Sequence, residues 1–340
     1  AARFITSMVA MTSGEFRLDA SEQMKKRPMS ELLDALQSLG TEISYLVREG
    51  TFPFQIKGMG YRQERAEVSL NIDRSSQFLS ALLMTAPSHF DDLRIHLTGN
   101  RSALSYVRMT EQMMKQFGHK GVIQESERCF RVLSQKGYQA QNYTIEPDVS
   151  AACYFYAMAA ITGGSCCVEN MREDSLQGDM KFLTVLEKMG CRISKENGEI
   201  ILHGAQPGKL KGIEIDMSDF SDQTLTLAAI APYAAGPVTI RNVGHIRGQE
   251  CDRIHAITEN LARMKIRCEE RKDGVTIYPG TPQPARIETF RDHRVAMAFA
   301  VTGVRTDGIV IDNPMCCRKT FEHYFEVLDS LYPGTQGLTN

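Results

Sequence analysis

Apolar residues in this chain fall into three recurring patterns. The runs FLSALLMTAP (78–87) and YFYAMAAITG (154–163) are apolar nearly all round, which predicts helices buried on most sides. Short β-branched runs follow such helices: DLRIHL (92–97), GPVTIRNV (236–243) and GIVIDN (308–313) predict strands. Amphipathic helices come next; Ile254, Ile257, Leu261 and Met264, for example, fall at steps of 3, 4 and 3. Turn dipeptides such as Asn197-Gly198 and Asp273-Gly274 then mark hairpins. One more strand, AEVSLNI (66–72) or GIEIDMS (212–218), leads into the next buried helix. The order reads βαβαββ, an α/β class with helices and strands mixed throughout.

The pattern repeats. Aligned buried helices start at Arg3, Ser76, Ala151, Asp222 and His293, at spacings of 73, 75, 71 and 71 residues. Near-equal spacing with matched content marks an internal repeat rather than two unrelated α/β domains. The amphipathic helices end about 40 residues after each start, at Gly40, Gly118, Gly190, Lys265 and Leu331. Glycine there is the usual left-handed helix stop. The polar segment 139–147 is the expected domain boundary, with two copies in 1–145 and three in 146–340.

Composition narrows the function classes. A length of 340 residues suits two domains with separate cores. The formal net charge is −2, so no global basic field exists for nucleic acid, and an anionic ligand needs a local cluster of cations. Nine cysteines without a C-x-x-C pair are expected as reduced thiols of a cytoplasmic protein. No apolar run approaches the roughly 20 residues of a membrane span. Gly58-Met59-Gly60 is only a fragment of a dinucleotide fingerprint, and P-loop, H-E-x-x-H and nucleophile-elbow motifs are absent from the sequence. No metal and no organic cofactor are expected.

Helix starts carry the remaining chemistry. Unpaired N–H groups and the helix dipole make them ready anion sites. Ser75, Ser150 and Asp219 read as plain caps. Asp292-His293-Arg294 goes further, because His and Arg add donors that a cap does not need. Arg27, Arg253 and Lys319 recur at starts of second helices, as Arg3 and Arg294 do at first helices. Convergence of these starts on one cleft gathers cations against a few carboxylates, a set suited to phosphate and carboxylate ligands.

These residues resemble the enolpyruvyl transferases. The stretches that carry the resemblance include RPMSELLDALQSLG (27–40), SSQFLSALLMTAP (75–87) and SLQGDMKFLTVLEKMG (175–190). DQTLTLAA (222–229), ECDRI (250–254), DHRVAMAF (292–299) and KTFEHYFEVL (319–328) continue it almost to the end of the chain. The resemblance implies an inside-out α/β barrel of repeated βαβαββ units in two domains of three units each. Against the five copies counted here, one unit is expected to be missing ahead of Ala1.

The activity implied is transfer of the enolpyruvyl group of phosphoenolpyruvate to the hydroxyl of shikimate 3-phosphate, with release of phosphate. Ser75, Ser76, Gln77, Tyr106, Asp222, His245 and Gln249 are implied for the sugar phosphate. Arg27, Gln77, Glu250, Arg253, His293, Arg294 and Lys319 are implied for phosphoenolpyruvate, with Arg3 close by in a structural role. Asp222 and Glu250 are the implied proton-transfer pair, Asp222 the base, its charge favoured by the dipole of the helix it heads. The partners are these two small molecules, with no nucleic acid or membrane, and the protein is expected as a monomer. Two alternatives stay open: the sister transferase acting on a UDP-amino sugar, and an inactive fragment of the synthase. A repeat-built clamp around DNA fits poorly with acids at the helix starts.

Overall fold

The computed structural model describes residues 1–62, 64–100, 104–135, 137–196, 198–332 and 338. Asn197 of the expected Asn197-Gly198 turn lies outside the described residues. The chain divides into two compact units, Ala1–Thr144 and Ile145–Asn340, each with its own apolar core.

In the first unit the chain runs α1 (Ala2–Met11), β1 (Ser13–Leu18), α2 (Glu22–Lys25), α3 (Ser30–Ser38), β2 (Glu42–Tyr45) and β3 (Phe54–Met59). It continues as β4 (Arg65–Asn71), α4 (Gln77–Thr85), β5 (Asp92–Thr98), α5 (Leu104–Gln116), β6 (Ile123–Ser126) and β7 (Cys129–Leu133). The second unit holds α6 (Val149–Thr162), β8 (Ser165–Cys167), α7 (Lys181–Lys188), β9 (Arg192–Glu196) and β10 (Glu199–His203). Next come β11 (Ile213–Asp216), α8 (Thr224–Ile230), β12 (Val238–Arg241), α9 (Arg253–Arg263), β13 (Cys268–Arg271) and β14 (Gly274–Ile277). The unit closes with β15 (Ala285–Ile287), α10 (His293–Gly303), β16 (Ile309–Ile311) and α11 (Tyr324–Leu331).

Two sheets, one in each unit, share a single plan. Their orders are β4-β5-β7-β6 and β11-β12-β14-β13. In both, the first two strands are parallel and the last three antiparallel. The parallel pairs need a crossover, which α4 and α8 supply. Antiparallel sheets β1-β3-β2 and β8-β10-β9 likewise match each other, and β15 pairs with β16 in parallel around α10.

Helix character follows the apolar pattern. All seven residues of α8 are buried, as are ten of the fourteen in α6, so neither helix has a solvent face to spare. These two and α10 pack against one another. By contrast α9 buries Ile254, Ala256, Ile257 and Leu261 along one face and leaves Glu259 and Arg263 in an exposed ion pair. Burial of each of Ile254, Ile257 and Leu261 stabilises by about 2 kcal/mol. The exception is α1. It buries Arg3, Thr6 and Ser7 while Ile5 and Met8 are 47% and 53% exposed, because Ser7 meets Thr85 of α4 through a 2.8 Å hydroxyl pair.

Left-handed stops end the second helices: Gly40, Gly118 and Gly190 have φ of 107°, 84° and 105°, and Lys265 takes the same conformation at 60°. A β-carbon there costs about 1–2 kcal/mol, so the repeat geometry is kept even where glycine is not. All nine cysteines are free thiols. Among the described residues no helix is long and apolar enough to cross a membrane.

Candidate active site

The second unit gathers its charged helix starts around Arg253. Asp252 caps α9 by accepting from the His255 amide at 3.0 Å, which makes Arg253 the first helical residue and turns it inward. Its side chain is only 2% exposed. Nε donates to Asp292 Oδ2 at 2.8 Å, Nη1 to Asp222 Oδ1 at 3.0 Å and Nη2 to Glu250 Oε2 at 3.1 Å. Gln249 Oε1 also accepts from Nη1. Burying a guanidinium costs several kcal/mol unless acceptors replace water, and here every nitrogen has one.

Two further cations join the cluster. Arg294 Nη2 lies 2.9 Å from Asp222 Oδ2, and Lys319 Nζ lies 2.9 Å from Glu250 Oε1. Among the described residues, three carboxylates thus face three cations. Asp292 also shapes the backbone here, since its Oδ1 accepts from the Arg294 amide at 2.9 Å and caps α10. The remaining charges at the head of α9 belong elsewhere. Arg247 bonds Asp252 and Glu270 at the surface.

The electrostatics separate these groups. Burial raises the proton affinity of Asp222, but Arg294 and Arg253 more than offset it and hold the carboxyl below its ordinary range. The neighbouring guanidinium groups hold its charge at the head of α8, whose seven residues start two positions later. His293 is pushed down to about 4, chiefly by burial, with Asp292 pulling the other way, so it is neutral at pH 7. It can donate a hydrogen bond without adding charge. His245 stands just upstream of Gln249, its Nε2 2.8 Å from Ser221 Oγ.

One member of this neighbourhood was not expected from the sequence. Asp179, in the single turn Gly178–Met180 before α7, accepts a hydrogen bond from Ser150 Oγ. Ser150 is not a cap; Asp148 caps α6, and the Ser150 hydroxyl instead lies 3.5 Å from Arg294 Nη2. Asp219 pairs with Lys181 at 2.7 Å. A signal for Asp179 was present: Gly-Asp opens the second helix of its stretch, the place Arg253 holds at α9, whereas Arg27 lies three residues before α3 and Lys319 five before α11.

The first unit presents a simpler cluster at the head of α4. Arg3 Nη1 donates to Ser75 Oγ and Gln77 Oε1, both at 2.9 Å, and its guanidinium carbon lies 4.9 Å from the centre of the Phe78 ring. Ser75 Oγ also accepts from the Gln77 amide at 3.3 Å, so it does cap locally. Ser75 and Ser76 are buried, whereas Gln77 is exposed. Tyr106 lies on α5, which Thr110 joins to α4 through a 2.8 Å bond to Ser80; its own side chain is 38% exposed. Arg27 stands half-buried in the turn between α2 and α3, its amide donating to Met24 O at 3.0 Å. No group of three or more His, Cys, Asp or Glu side chains set to hold a metal occurs among the described residues.

A fold of matched α/β sheets with charged helix starts is the architecture of the enolpyruvyl transferases. It is similar to that of the enolpyruvyl transferase NikO from Streptomyces tendae, at a TM-score of 0.74, 15% identity, and coverage of 97% of this chain and 75% of that one. EPSP synthase from Acinetobacter baumannii gives a TM-score of 0.80 at 23% identity, covering 99% of this chain and 77% of that one. Sequence comparison is more specific. The 3-phosphoshikimate 1-carboxyvinyltransferase of Nostoc punctiforme is 45% identical over 324 residues, 95% of this chain and 75% of that protein. The model of the EPSP synthase (3-phosphoshikimate 1-carboxyvinyltransferase) family matches residues 1–328, and the chain belongs to that family.

Proposed function

We propose that Asp222, Glu250 and the cations around them carry out carboxyvinyl transfer from phosphoenolpyruvate to shikimate 3-phosphate. Family membership makes the chain a 3-phosphoshikimate 1-carboxyvinyltransferase, a transferase of the shikimate pathway. The architecture behind it is the inside-out α/β barrel of repeated βαβαββ units, two copies in 1–145 and three in 146–340.

In the addition step the sugar hydroxyl oxygen bonds to C2 of phosphoenolpyruvate, its proton leaves to a base, and a second proton reaches the methylene carbon. In the elimination step the bond from C2 to the phosphate oxygen breaks and the methyl carbon gives up a proton, restoring the double bond. Asp222 is the base for the hydroxyl and Glu250 the proton carrier at carbon. Their placement against the same Arg253 guanidinium, at 3.0 and 3.1 Å, is the observation that supports this pairing best. At rest the arginines make Asp222 a weak base. When the carboxylate of phosphoenolpyruvate draws Arg294 toward itself, that hold loosens and Asp222 gains proton affinity as the hydroxyl needs it. Arg27, Arg253, Arg294 and Lys319 neutralise the phosphate and carboxylate, with Gln77 and neutral His293 as donors. Ser75, Ser76, Gln77, Tyr106, His245 and Gln249 hold the sugar phosphate, and Arg3 fixes the first three-residue group in place.

The test is phosphate release with the two substrates supplied separately and together. Release is expected only when both phosphoenolpyruvate and shikimate 3-phosphate are present. Release with UDP-N-acetylglucosamine in place of the sugar phosphate, or none with the proper pair, overturns the reading.

A further inference from the structure

Arg294 has two holds on it besides any ligand. One is the ion pair with Asp222, at 2.9 Å. The other is Ser150 Oγ, 3.5 Å from the same Nη2 nitrogen. A hydroxyl can accept from a guanidinium while donating elsewhere, and its rotation is fixed by whatever takes its proton. Here that acceptor is Asp179 Oδ2, in a short contact with Ser150 Oγ. The acid is itself anchored: its carbonyl oxygen lies 3.7 Å from the Cys153 thiol, one turn along α6 from Ser150. Two residues earlier Gln177 accepts from the Val149 amide at 3.0 Å and donates to Pro147 O at 2.8 Å. The segment before α7 is therefore sewn to the start of α6.

We infer that Asp179 is a positioning residue, which orients the Ser150 hydroxyl and through it sets the Arg294 guanidinium for the carboxylate of phosphoenolpyruvate. This rests on the proposed role of Arg294. An ionised Asp179 can only accept, so the Ser150 proton points at it and an oxygen lone pair is left for Arg294. Asparagine in its place can turn a donor toward Ser150, and the hydroxyl then no longer has a fixed sense. Asp179 acts through Ser150 and does not touch the reacting atoms.

Protonation of the acid has the same effect as the amide. Asp179 is raised from 3.8 to about 6, first by burial and then by the charge of Asp222, with Arg294 and the Ser150 bond opposing. The charged and titratable groups facing it are Asp148 at the cap of α6, Cys153 from α6, Asp222 from the head of α8 and Arg294 from α10. Above about pH 6 the carboxylate orients Ser150; as pH falls through that value the orientation is lost. The ligand phosphate also titrates near 6, so the diagnostic quantity is the ratio of variant to wild-type KM at each pH, in which the ligand's own titration cancels.

Asp179→Asn should raise KM for phosphoenolpyruvate about tenfold at pH 8, the scale of one hydrogen bond to a charged group. Its kcat and its calorimetric affinity for shikimate 3-phosphate should stay near wild type, and the retained affinity reports an intact fold. The KM ratio should fall toward one by pH 5.5. Ser150→Ala should give a similar KM increase, and the double variant should be no worse than either single one. Additive effects, a ratio independent of pH, or a fall in kcat at unchanged KM overturns the inference. Arg294→Ala measured alongside separates the two claims. If it leaves KM unchanged, the role of Arg294 is wrong; if it raises KM and Asp179→Asn does not, only the role of Asp179 is wrong.

Discussion

The tripeptides Ser75-Ser76-Gln77 and Ser221-Asp222-Gln223 stand at the same point of two sheets with the same strand order, and differ at one residue. In the first unit Arg3 from α1 reaches a head that carries no charge. In the second unit Arg294 from α10 and Arg253 from α9 reach a head that carries Asp222. The neutral head sets no negative charge of its own against Arg3, which favours an incoming phosphate. The acidic head belongs to a balanced lattice of three carboxylates and three cations. Such a lattice adds little net attraction, yet it fixes the direction of every donor before a ligand arrives, which is what stabilising developing charge requires. On the proposed reading one scaffold serves attraction in one place and orientation in the other, and the choice is made by a single side chain.

Removing the acid is the severest way to break this contrast. Asp222→Asn keeps the size of the side chain and is expected to lower kcat by roughly 10²–10⁴, the range for a lost general base. Shikimate 3-phosphate affinity measured by calorimetry should change little; if binding is abolished while single-turnover chemistry survives, Asp222 is a ligand-holding group and not a base. Next in size is stability. Arg253→Met leaves buried Asp292 without its guanidinium and takes one of two cations from Asp222 and from Glu250, and should cost about 3–5 kcal/mol in denaturant unfolding. Arg3→Met leaves the neutral acceptors Ser75 and Gln77 behind and should cost about 1–3 kcal/mol. Equal losses in the two variants would erase the distinction between the heads.

The last effect concerns acid. His293 has its folded-state value lowered from 6.5 to about 4. Between those values the unfolded chain takes up a proton that the folded chain refuses, so stability is lost as pH falls from about 6.5 and the loss is complete near 4. The full loss is about 3 kcal/mol at 1.36 kcal/mol per unit. Asp179 works in the opposite sense: raised from 3.8 to about 6, it takes its proton first in the folded chain, so stability is gained as pH falls through 6. The two offset each other in wild type. His293→Asn should therefore become more stable in denaturant melts between pH 6.5 and 4, and a variant that loses stability over that range removes His293 as the source.

Much of this was legible in the residues. Period and turn chemistry marked the buried helices, the amphipathic α9 and the Asp273-Gly274 hairpin, because those signals are local. Arg253, Arg294 and Asp222 could be picked out because charge at a helix start is visible in one dimension; Lys319 instead ends the turn Pro314–Lys319, five residues before α11, and Glu250 lies in the loop before α9. The pairing of these charges was not visible, since Arg253 and Asp292 are 39 residues apart and Lys319 and Glu250 are 69 apart. Asp179 was missed because a Gly-Asp helix start looks like any cap until Ser150 is seen beside it. The polar inward face of α1 escaped for a related reason: Ser7 is buried only because Thr85 meets it from α4.

The strand ladders carry one more consequence. Among the described residues each sheet closes within its own stretch: 13–59, 65–133, 165–203, 213–277 or 285–311. Loop-closure entropy rises only with the logarithm of the loop, but order of assembly depends on whether distant chain must arrive first. Here no ladder waits for strands from another stretch, so each sheet can nucleate as soon as its own residues are available. Fluctuations are local for the same reason: opening one ladder breaks no hydrogen bond in the next, and backbone amides are exposed to exchange in blocks set by position along the chain.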